Sequence, residues 1–551
     1  MRFFGNLIEG SISQSNANSG LFPSVEKGLL NPAALIAYGL QNQAKYVKFF
    51  LKRLPGRIPE KTPEMRFVKD YIRAHGYPKV SREEITVLDF AEFAIAGVKE
   101  TAIACKEAAR IKKDMHKIFE NEKRGLTYDQ RKAIIPELHD RMAKHYANFR
   151  EIAIAEGTPV KLFDWQFWNV VNALNQDEVE FVGERLYPEE IPCSKEGERT
   201  ILYRHPFGAV GIFPPYNAAL GLGALAIFCA FFAGNATVIR TPMKVPLTNM
   251  ELAYVLRDTV EKLDFPLSSF QAIIGPARPI SHYMVSDSPL NAMVYYGDSK
   301  VGLELMAKAI RRGMHFVPEL AGSGASLVWK DVDIQKVARF VSHARFFGSG
   351  QVCLAAKRLF LHEAIFDDFL DALIEEAAKL RVGLPSDSQT DLPLIGTRAL
   401  YQIIDMTREA LKKGARLHCG GYRMNYKGEK DQAGLFYKPT ILSDVDLSCR
   451  MWYQETFGPV LPVMKIRDFD QAISQANNSP YGLRTSVYAD DPTIWQRYFS
   501  EIEAPGVAIN SDHLVFHDFI PHLGGLKTSG VFGGKYFYEV LTYMKYRHFP
   551  A

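Results

Sequence analysis

The fold is decided by residues 209–240. They read Ala209-Val210-Gly211-Ile212-Phe213, then an uncharged run at 218–233 (AALGLGALAIFCAFFA), then Ala236-Thr237-Val238-Ile239-Arg240. The first and last of these runs are short and rich in β-branched residues, which predicts two buried strands. The middle run falls short of the roughly 20 residues that a membrane span needs, so we interpret it as a buried helix. Strand, helix and strand in this order predict a parallel βαβ unit.

The alternation of strands and helices continues toward the C-terminus. A helix is predicted through Lys262, with strands at 269–274, 292–296, 325–329 and 357–361 and helices at 333–347 and 364–381. This is the rhythm of a doubly wound parallel sheet, so the predicted fold class is α/β. Upstream, apolar residues at helical spacing predict long helices over Thr86–Asn121, Asp129–Ile154 and, in amphipathic form, Leu29–Leu51. Pro55, Pro59 and Pro63 predict a linker.

Size and composition exclude several classes of protein. The chain has 551 residues and a net charge of +4, and 47% of its residues are hydrophobic, which suits a globular protein of two or three domains. We find no basic tract interleaved with aromatic residues, so we expect no nucleic-acid partner. No signal-peptide core begins the chain, and we expect no integral membrane span. Six scattered cysteines without CxxC spacing predict neither a metal site nor disulfides, and favour a reducing, cytoplasmic location.

One cysteine stands in a setting that suggests chemistry. Cys353 ends the glycine-containing stretch Gly350-Gln351-Val352-Cys353, and Glu319 lies upstream in Pro318-Glu319-Leu320-Ala321-Gly322. A thiolate can attack a carbonyl carbon, and a carboxylate can activate the water that later releases the acyl group. A single cysteine is more often a small buried core residue, so evidence from the rest of the chain is needed to favour a catalytic role.

Seven motifs together resemble the aldehyde dehydrogenase superfamily, over residues 195–551 and more weakly over 100–195. They are Pro215-Tyr216-Asn217, Gly234-Asn235-Ala236-Thr237-Val238-Ile239-Arg240, Tyr295-Tyr296-Gly297-Asp298-Ser299, Glu319-Leu320, Gly350-Gln351-Val352-Cys353, Glu455-Thr456-Phe457-Gly458-Pro459-Val460 and Gly524-Gly525-Leu526-Lys527-Thr528-Ser529-Gly530. The resemblance implies a Rossmann-like cofactor domain, an α/β catalytic domain and a small β oligomerisation element. It implies domain limits of 1–63 (a partly helical extension), 64–320 (cofactor, with a hairpin near 193–208), 321–530 (catalysis) and 531–551 (oligomerisation).

The resemblance also implies catalytic roles. Cys353 would form a thiohemiacetal and then a thioester, Asn217 would stabilise the oxyanion beside the Cys353 backbone N–H, and Glu319 would activate water for hydrolysis. An asparagine after two prolines is also a common turn residue, so Asn217 depends on the resemblance. Two alternative functions are a CoA-acylating aldehyde dehydrogenase and a catalytically silent structural or binding protein on the same fold. CoA-acylating enzymes commonly lack the glutamate, so Glu319 argues against the first. A silent protein would need none of these catalytic residues, so their presence argues against the second.

The cofactor implied by the resemblance is NAD or NADP. The residues expected to contact it are Phe213, Pro215, Arg240, Met243, Lys244, Arg278, Gly297, Asp298, Leu320, Glu455 and Phe457, of which the last two would position the nicotinamide ribose and ring. Met243 stands where a carboxylate often excludes a 2′-phosphate, and Arg240, Lys244 and Arg278 supply cations, so we favour NADP. Tyr296, Asp298, Ala321 and Ser323 depart from the usual motif, and indicate a remodelled cofactor site.

The expected partners are a small-molecule aldehyde and further copies of the chain. Small residues at Ala218-Ala219-Leu220-Gly221 predict a roomy entrance for an aromatic or medium-to-long aliphatic aldehyde. The aromatic walls are predicted from Tyr216, Phe346, Phe347, Phe516 and Phe519. Residues 197–207 and 541–549 match the oligomerisation strands of the family, which implies a homodimer or homotetramer.

Overall fold

Two seven-stranded sheets form the frame of the molecule. The computed structural model describes residues 2–13, 19–34, 63–76, 80–119, 121–175, 183–184, 186–514, 522–531 and 535–550. The first sheet has the spatial order His315–Glu319, Ala292–Tyr296, Ala209–Phe213, Ala236–Thr241, Phe270–Ile274, Leu7–Ile8, Ser11–Ile12. Its first five strands are parallel, and the N-terminal hairpin Leu7–Ile12 extends it antiparallel. Residues 7–12, which we expected to precede the cofactor domain, thus supply edge strands to this sheet.

Helices cover both faces of the first sheet, which explains why its central strands are buried along their whole length rather than at alternate positions. These helices are Ala219–Phe232, Pro246–Lys262, Ala277–Ser286 and Ser299–Arg311, together with Val98–Ile111. The uncharged run forms the helix Ala219–Phe232 and is almost entirely buried, as predicted. Of the helices in the described part of the chain, none is long and apolar enough to cross a membrane.

The second sheet has the order Arg416–Cys419, Thr440–Ser443, Val460–Ile466, Ala356–His362, Gly324–Val328, Arg484–Tyr488, Gly506–Ile509. Only the edge strand Arg416–Cys419 among these runs antiparallel to its neighbour. The flanking helices are Ile334–Phe346, Phe366–Ala378, Thr397–Lys412, Phe469–Asn477 and Pro492–Glu501. The α/β class and the second series of alternating elements are therefore confirmed.

Smaller sheets complete the architecture. Thr542–Phe549, Arg199–Pro206 and Glu189–Ile191 form an antiparallel sheet, and Arg2–Phe4, Asp89–Ala94 and Ser19–Pro23 form another three-stranded sheet. Two-stranded pairs join Arg423–Met424 to Phe436–Tyr437, Tyr481–Gly482 to Leu526–Lys527, and His522–Leu523 to Lys535–Tyr536. Further helices are Pro63–His75 and the shorter Val25–Leu30, Arg82–Thr86 and Phe537–Val540.

The predicted long helices upstream of the first sheet are wrong. Within 86–121 the structure has a strand, Asp89–Ala94, and a helix, Val98–Ile111, because the alternating sequence DFAEFA pairs with Ser19–Pro23. The stretch 129–154 divides into Tyr128–Lys132, Ile134–Lys144 and Tyr146–Ala155, followed by Val160–Asn172. Pro136 has no N–H to continue a helix from residue 132, which accounts for the first break. Pro63, expected in a linker, begins a helix. Residues 35–62 lie outside the described residues, and they include most of the predicted helix Leu29–Leu51 as well as Pro55 and Pro59.

The two sheets meet end to end. Glu319 ends the last strand of the first sheet, and the strand Gly324–Val328 of the second sheet begins five residues later. Cys353 lies just before the strand Ala356–His362, next to Gly324–Val328. The carboxyl end of one sheet and the amino end of the other therefore bring Glu319 and Cys353 to a single junction, the place where open α/β sheets bind ligands.

Candidate active site

A cavity of about 690 Å³ leads to this junction. Cys353 and Asn217 line it, and most of its other lining side chains are apolar. Tyr216 and Phe347 contribute aromatic wall as predicted, and Trp165, which the sequence did not single out, packs edge-on to Phe347. Phe346 is instead fully buried in the core of the second sheet, because it lies on the inner face of its helix. Phe516 and Phe519 lie outside the described residues.

Cys353 is held in a tightly packed loop. Gly350 has φ 68°, and a Cβ there would lie 2.7 Å from the Gly458 carbonyl oxygen. A Cβ at Gly322 would lie 2.6 Å from the Cys353 carbonyl oxygen, so both positions require glycine for close backbone approach. Cys353 is half-buried as a residue and lines the cavity. Burial of its thiol raises the thiol pKa to about 12, with Glu319 adding to the increase and Lys357 opposing it.

Asn217 is fixed beside the nucleophile loop. Its Nδ2 donates to the backbone carbonyl of Gln351 at 2.7 Å, and the Gln351 side chain accepts from the Tyr216 hydroxyl at 3.0 Å. An asparagine amide has two N–H donors, so one remains for an oxygen bound in front of Cys353. The turn residue expected from the local sequence is thus also a member of the site.

Glu319 is a buried carboxyl group at the end of its strand. Its Oε2 accepts from the Gly524 backbone N–H at 2.7 Å, and the next residue, Leu320, donates its N–H to the Ser529 carbonyl at 3.0 Å. The motif Gly524–Gly530 therefore holds the strand that carries the glutamate. Burial raises the pKa of Glu319 to about 7, while the Gly524 hydrogen bond opposes the rise. A carboxyl group with this pKa suits a general base near neutral pH.

Glu455 lies in a loop that buried cations hold in place. Its Oε1 accepts from the Lys357 ammonium at 2.5 Å and from the Gly322 backbone N–H at 3.1 Å. The Arg345 guanidinium donates to the carbonyls of Thr456 and Val460, which follow Glu455 in the chain. The Phe457 ring lies 5.6 Å from the Lys357 Nζ and 6.2 Å, edge to face, from the Tyr216 ring. A carboxylate and an aromatic ring therefore lie together near the nucleophile.

This assembly of a cysteine, a buried glutamate and a carboxylate–aromatic pair agrees with the sequence comparison. The model of the aldehyde dehydrogenase family matches residues 82–549. The chain belongs to the aldehyde dehydrogenase family. It is 30% identical over 363 residues to 3-sulfolactaldehyde dehydrogenase of Priestia aryabhattai, covering 65% of this chain and 72% of that one. Lactaldehyde dehydrogenase of Methanocaldococcus jannaschii is 28% identical over 472 residues, covering 85% and 97%.

Solved structures agree with this assignment. The glyceraldehyde-3-phosphate dehydrogenase of M. jannaschii complexed with NADP superimposes with a TM-score of 0.75 at 26% identity, covering 84% of this chain and 96% of that chain. A 3,6-anhydro-L-galactose dehydrogenase superimposes with a TM-score of 0.78 at 20% identity over the whole of both chains, which shows the shared fold. The protein is thus an aldehyde dehydrogenase of a family that uses NAD or NADP.

In this aldehyde dehydrogenase the expected cofactor residues lie along the carboxyl edge of the first sheet. Phe213 is the last residue of its strand, and its ring centroid lies 5.7 Å from the Arg240 Cζ. Pro215, two residues later, is half-buried. Gly297 donates its N–H to the Glu319 carbonyl at 3.1 Å, and Leu320 is buried. Asp298 caps the helix Ser299–Arg311 by accepting from the Val301 N–H at 3.2 Å. A carboxylate therefore occupies a helix N-terminus that would otherwise favour a phosphate.

The three cations expected at the adenosine ribose have different surroundings. Arg240 is buried, and its Nε and Nη2 both donate to the Gly275 carbonyl, at 2.8 and 2.6 Å. Arg278 is exposed on the first turn of the helix Ala277–Ser286. Lys244 lines the cavity that contains Cys353, with its Nζ 4.1 Å from the Tyr216 ring centroid. Met243, half-buried, packs against the core of the first sheet.

Two residues of the site were missed in the sequence. Lys357 lies outside the quoted motifs, and Gln351 was quoted in the motif of Cys353 without a role, yet Lys357 bonds Glu455 and Gln351 bonds Asn217 and Tyr216. A usable signal existed for Lys357. The strand Ala356–His362 is buried along its length but contains Lys357-Arg358, and buried cations require nearby acceptors.

Proposed function

We propose that this protein is a non-acylating aldehyde dehydrogenase that oxidises an aromatic or medium-to-long aliphatic aldehyde to the carboxylic acid. The observation that supports this most is the position of Cys353 at a cavity of about 690 Å³, with the buried carboxyl of Glu319 near enough to raise the thiol pKa. Glu319 supplies the water-activating group that a CoA-dependent enzyme does not need.

The reaction follows from the chain's own groups. The Cys353 thiolate forms a C–S bond with the aldehyde carbon, and the carbonyl oxygen becomes an oxyanion beside the Asn217 amide and the Cys353 N–H. Glu455 and Phe457 would hold the nicotinamide end of NAD(P), which would supply the acceptor for the hydride that leaves the thiohemiacetal carbon as the oxyanion collapses to the thioester carbonyl. Glu319 then takes a proton from water, the water oxygen attacks the thioester carbon, and Cys353 leaves as thiolate. One oxyanion donor is typically worth about 10²–10³ in rate.

The substrate class is proposed from the cavity. Its lining includes Leu162, Trp165, Val170, Leu222 and Phe347, and the charged side chains among its described lining are Glu156 and Lys244. The carboxylate of Glu156 is engaged by the N–H groups of Leu247 and Thr248 at the start of the helix Pro246–Lys262. The two relatives above are named for small polar aldehydes, whereas this cavity offers apolar surface well beyond the length of such a substrate.

An aldehyde panel tests the substrate class. Burying one CH₂ is worth about 0.8 kcal/mol, so kcat/KM should rise roughly a hundredfold from butanal to octanal. Lactaldehyde should be a poor substrate, and coenzyme A should leave the rate unchanged. Gly221→Phe should move the optimum to shorter aldehydes, since a Cβ at Gly221 meets only Gln166, at 3.8 Å, and a side chain has room to enter the cavity. A kcat/KM that is highest for lactaldehyde and falls with length would contradict the proposal.

We also propose NADP as a cofactor at least as good as NAD. Met243 cannot accept a hydrogen bond from a ribose 2′-hydroxyl, and Arg278 is exposed near the Gly275 carbonyl that Arg240 contacts. The NADP complex of the M. jannaschii relative supports the same preference. Paired KM titrations with NAD and NADP measure it.

The protein should form homo-oligomers. Thr542–Phe549 is an edge strand exposed on both faces, with Tyr543 on one face and Met544 and Tyr546 on the other, the last 73% exposed. An open edge with apolar side chains favours pairing with a second copy. Light scattering at micromolar concentration should give a dimer or tetramer that Tyr546→Lys weakens, and a wild-type monomer would contradict the expectation.

A further inference from the structure

Lys357 is a buried cation placed directly behind the nucleophile. It follows Cys353 by four residues in the strand Ala356–His362, and its side chain is 0% exposed. Its ammonium donates to the Cys353 carbonyl at 2.9 Å, to the Gly322 carbonyl at 2.8 Å and to the Glu455 carboxylate at 2.5 Å. An ammonium has three N–H donors, so these acceptors satisfy it completely.

The three acceptors belong to three different catalytic segments. One is in the nucleophile loop, one follows Glu319 by three residues, and one is the carboxylate that would meet the nicotinamide ribose. The Gly322 N–H also donates to the same Glu455 oxygen, at 3.1 Å. Lys357 therefore fixes the relative positions of the groups for attack, hydrolysis and cofactor binding.

The charge of Lys357 also matters to the thiol. The titratable groups that interact with Cys353 are Glu319, Glu455, Lys357 and the buried Tyr296, and His513 lies against the adjacent Leu354 carbonyl. Glu319 and Glu455 both raise the pKa of Cys353, whereas Lys357 lowers it. Burial lowers the pKa of His513 to about 3, so this histidine is neutral and adds no second cation.

We propose that Lys357 is a positioning residue, which holds Glu455 for the cofactor and keeps a positive charge beside the Cys353 thiolate. The proposal rests on the proposed function, because both roles serve the chemistry of Cys353. Lys357 would act through its contacts with Glu455 and with the backbone of the nucleophile loop, without touching the aldehyde.

The test compares Lys357→Met and Lys357→Arg with wild type in the full chain. Iodoacetamide alkylation of Cys353, followed by peptide mass spectrometry, gives the thiolate population against pH without any aldehyde. Lys357→Met should slow the alkylation roughly tenfold at neutral and mildly alkaline pH, which is the effect of a rise of about one unit in the thiol pKa far below its midpoint. It should also raise the KM for the nicotinamide cofactor about tenfold, and Lys357→Arg should recover part of both losses.

A double variant keeps the test decisive if Lys357→Met folds poorly. Lys357→Met with Glu455→Gln removes both charges and leaves no unpaired buried charge. Positioning predicts that the Lys357→Met effect on cofactor KM shrinks in the Glu455→Gln background, since no carboxylate remains to be held. An equal effect in both backgrounds, or a folded Lys357→Met with wild-type alkylation and KM, overturns the proposal. Failure of the proposed function would appear separately, as oxidation that survives Cys353→Ala.

Discussion

The catalytic junction and the adenosine end of the first sheet are built in different ways. At the junction, Asn217, Glu319 and Glu455 each bond a backbone group of another catalytic segment, in the loops at Gln351, Gly524 and Gly322. At the adenosine end, Arg240 is occupied by the Gly275 carbonyl. Arg278 is exposed there, and Asp298 caps its own helix.

The difference reflects what each region has to do. Bond making at the junction needs particular atoms in fixed positions, so one residue type serves at each place. A ribose or a phosphate can be bound by several arrangements of backbone and side chain, so that region tolerates change. Substitutions at the junction should therefore cost far more activity than substitutions at the adenosine end.

Cys353→Ala should give the largest effect. No other group at the junction can supply the covalent step, so oxidation should fall by roughly 10⁴-fold or more. NAD(P)H absorbance measures the loss, and fluorescence titration should show nearly unchanged cofactor binding. Cys229→Ala, which removes a fully buried thiol from the helix Ala219–Phe232, is the matched control. Residual activity above about one per cent would be too much for a missing nucleophile and would remove Cys353 from the site.

Glu319→Gln should give the next largest effect, on deacylation. We expect a burst of NAD(P)H followed by a steady state about 10²–10³-fold slower than wild type, because the amide cannot take a proton from water. In the wild type the steady-state rate should fall as pH drops below about 7, where the buried carboxyl becomes protonated. Stopped-flow absorbance across pH measures both, and an unchanged steady state would favour a coenzyme A acceptor.

Glu156→Gln is the control for that pH dependence. Burial raises the pKa of Glu156 to about 7 as well, but its carboxylate caps the helix Pro246–Lys262. Both raised values mean that the folded state binds more protons than the unfolded state between pH 4.5 and 7. Each group should therefore lower stability as pH rises through this window. Both variants should flatten the dependence of Tm on pH, whereas only Glu319→Gln should produce a burst.

The difference between the junction and the adenosine end also determines how much of each could be predicted from the sequence. The strands and helices from Ala209 onward were predictable, because parallel sheets between helices require continuous apolar runs. Cys353, Glu319 and Asn217 could be proposed from the sequence because the expected chemistry requires these residue types, and the structure places Cys353 and Asn217 at one cavity. The buried strand of Lys357 indicates a cation that needs acceptors, but no local pattern identifies those acceptors, which are two carbonyls and a carboxylate from 98 residues away.

The helices predicted before the first sheet failed for a related reason. The segment Asp89–Ala94 forms a strand only because Ser19–Pro23 and Arg2–Phe4 lie on either side of it. That pairing joins parts of the chain some seventy to ninety residues apart, and its tertiary contacts outweigh the local preference for helix. The sequence also grouped Lys244 with Arg240 and Arg278 as a cation near the adenosine ribose, on the basis of its position in the chain. In the structure its ammonium lies over the Tyr216 ring and lines the cavity of Cys353.

Met243→Glu should give the smallest of the effects and tests the adenosine end directly. A carboxylate at this position can accept from a ribose 2′-hydroxyl and repels a 2′-phosphate, so the ratio of kcat/KM for NADP to that for NAD should fall. One charge-assisted contact is worth about 1.5–3 kcal/mol, which corresponds to roughly a tenfold or larger change in that ratio.

Met243→Gln separates the two causes, since it supplies the acceptor without the charge and should change mainly the KM for NAD. Because Arg240 is already bonded to Gly275, the discrimination rests chiefly on Arg278, and Arg278→Ala should weaken NADP binding and spare NAD. A wild-type enzyme that strongly prefers NAD would show that Arg278 stays in solvent and that the ribose is bound by backbone groups instead.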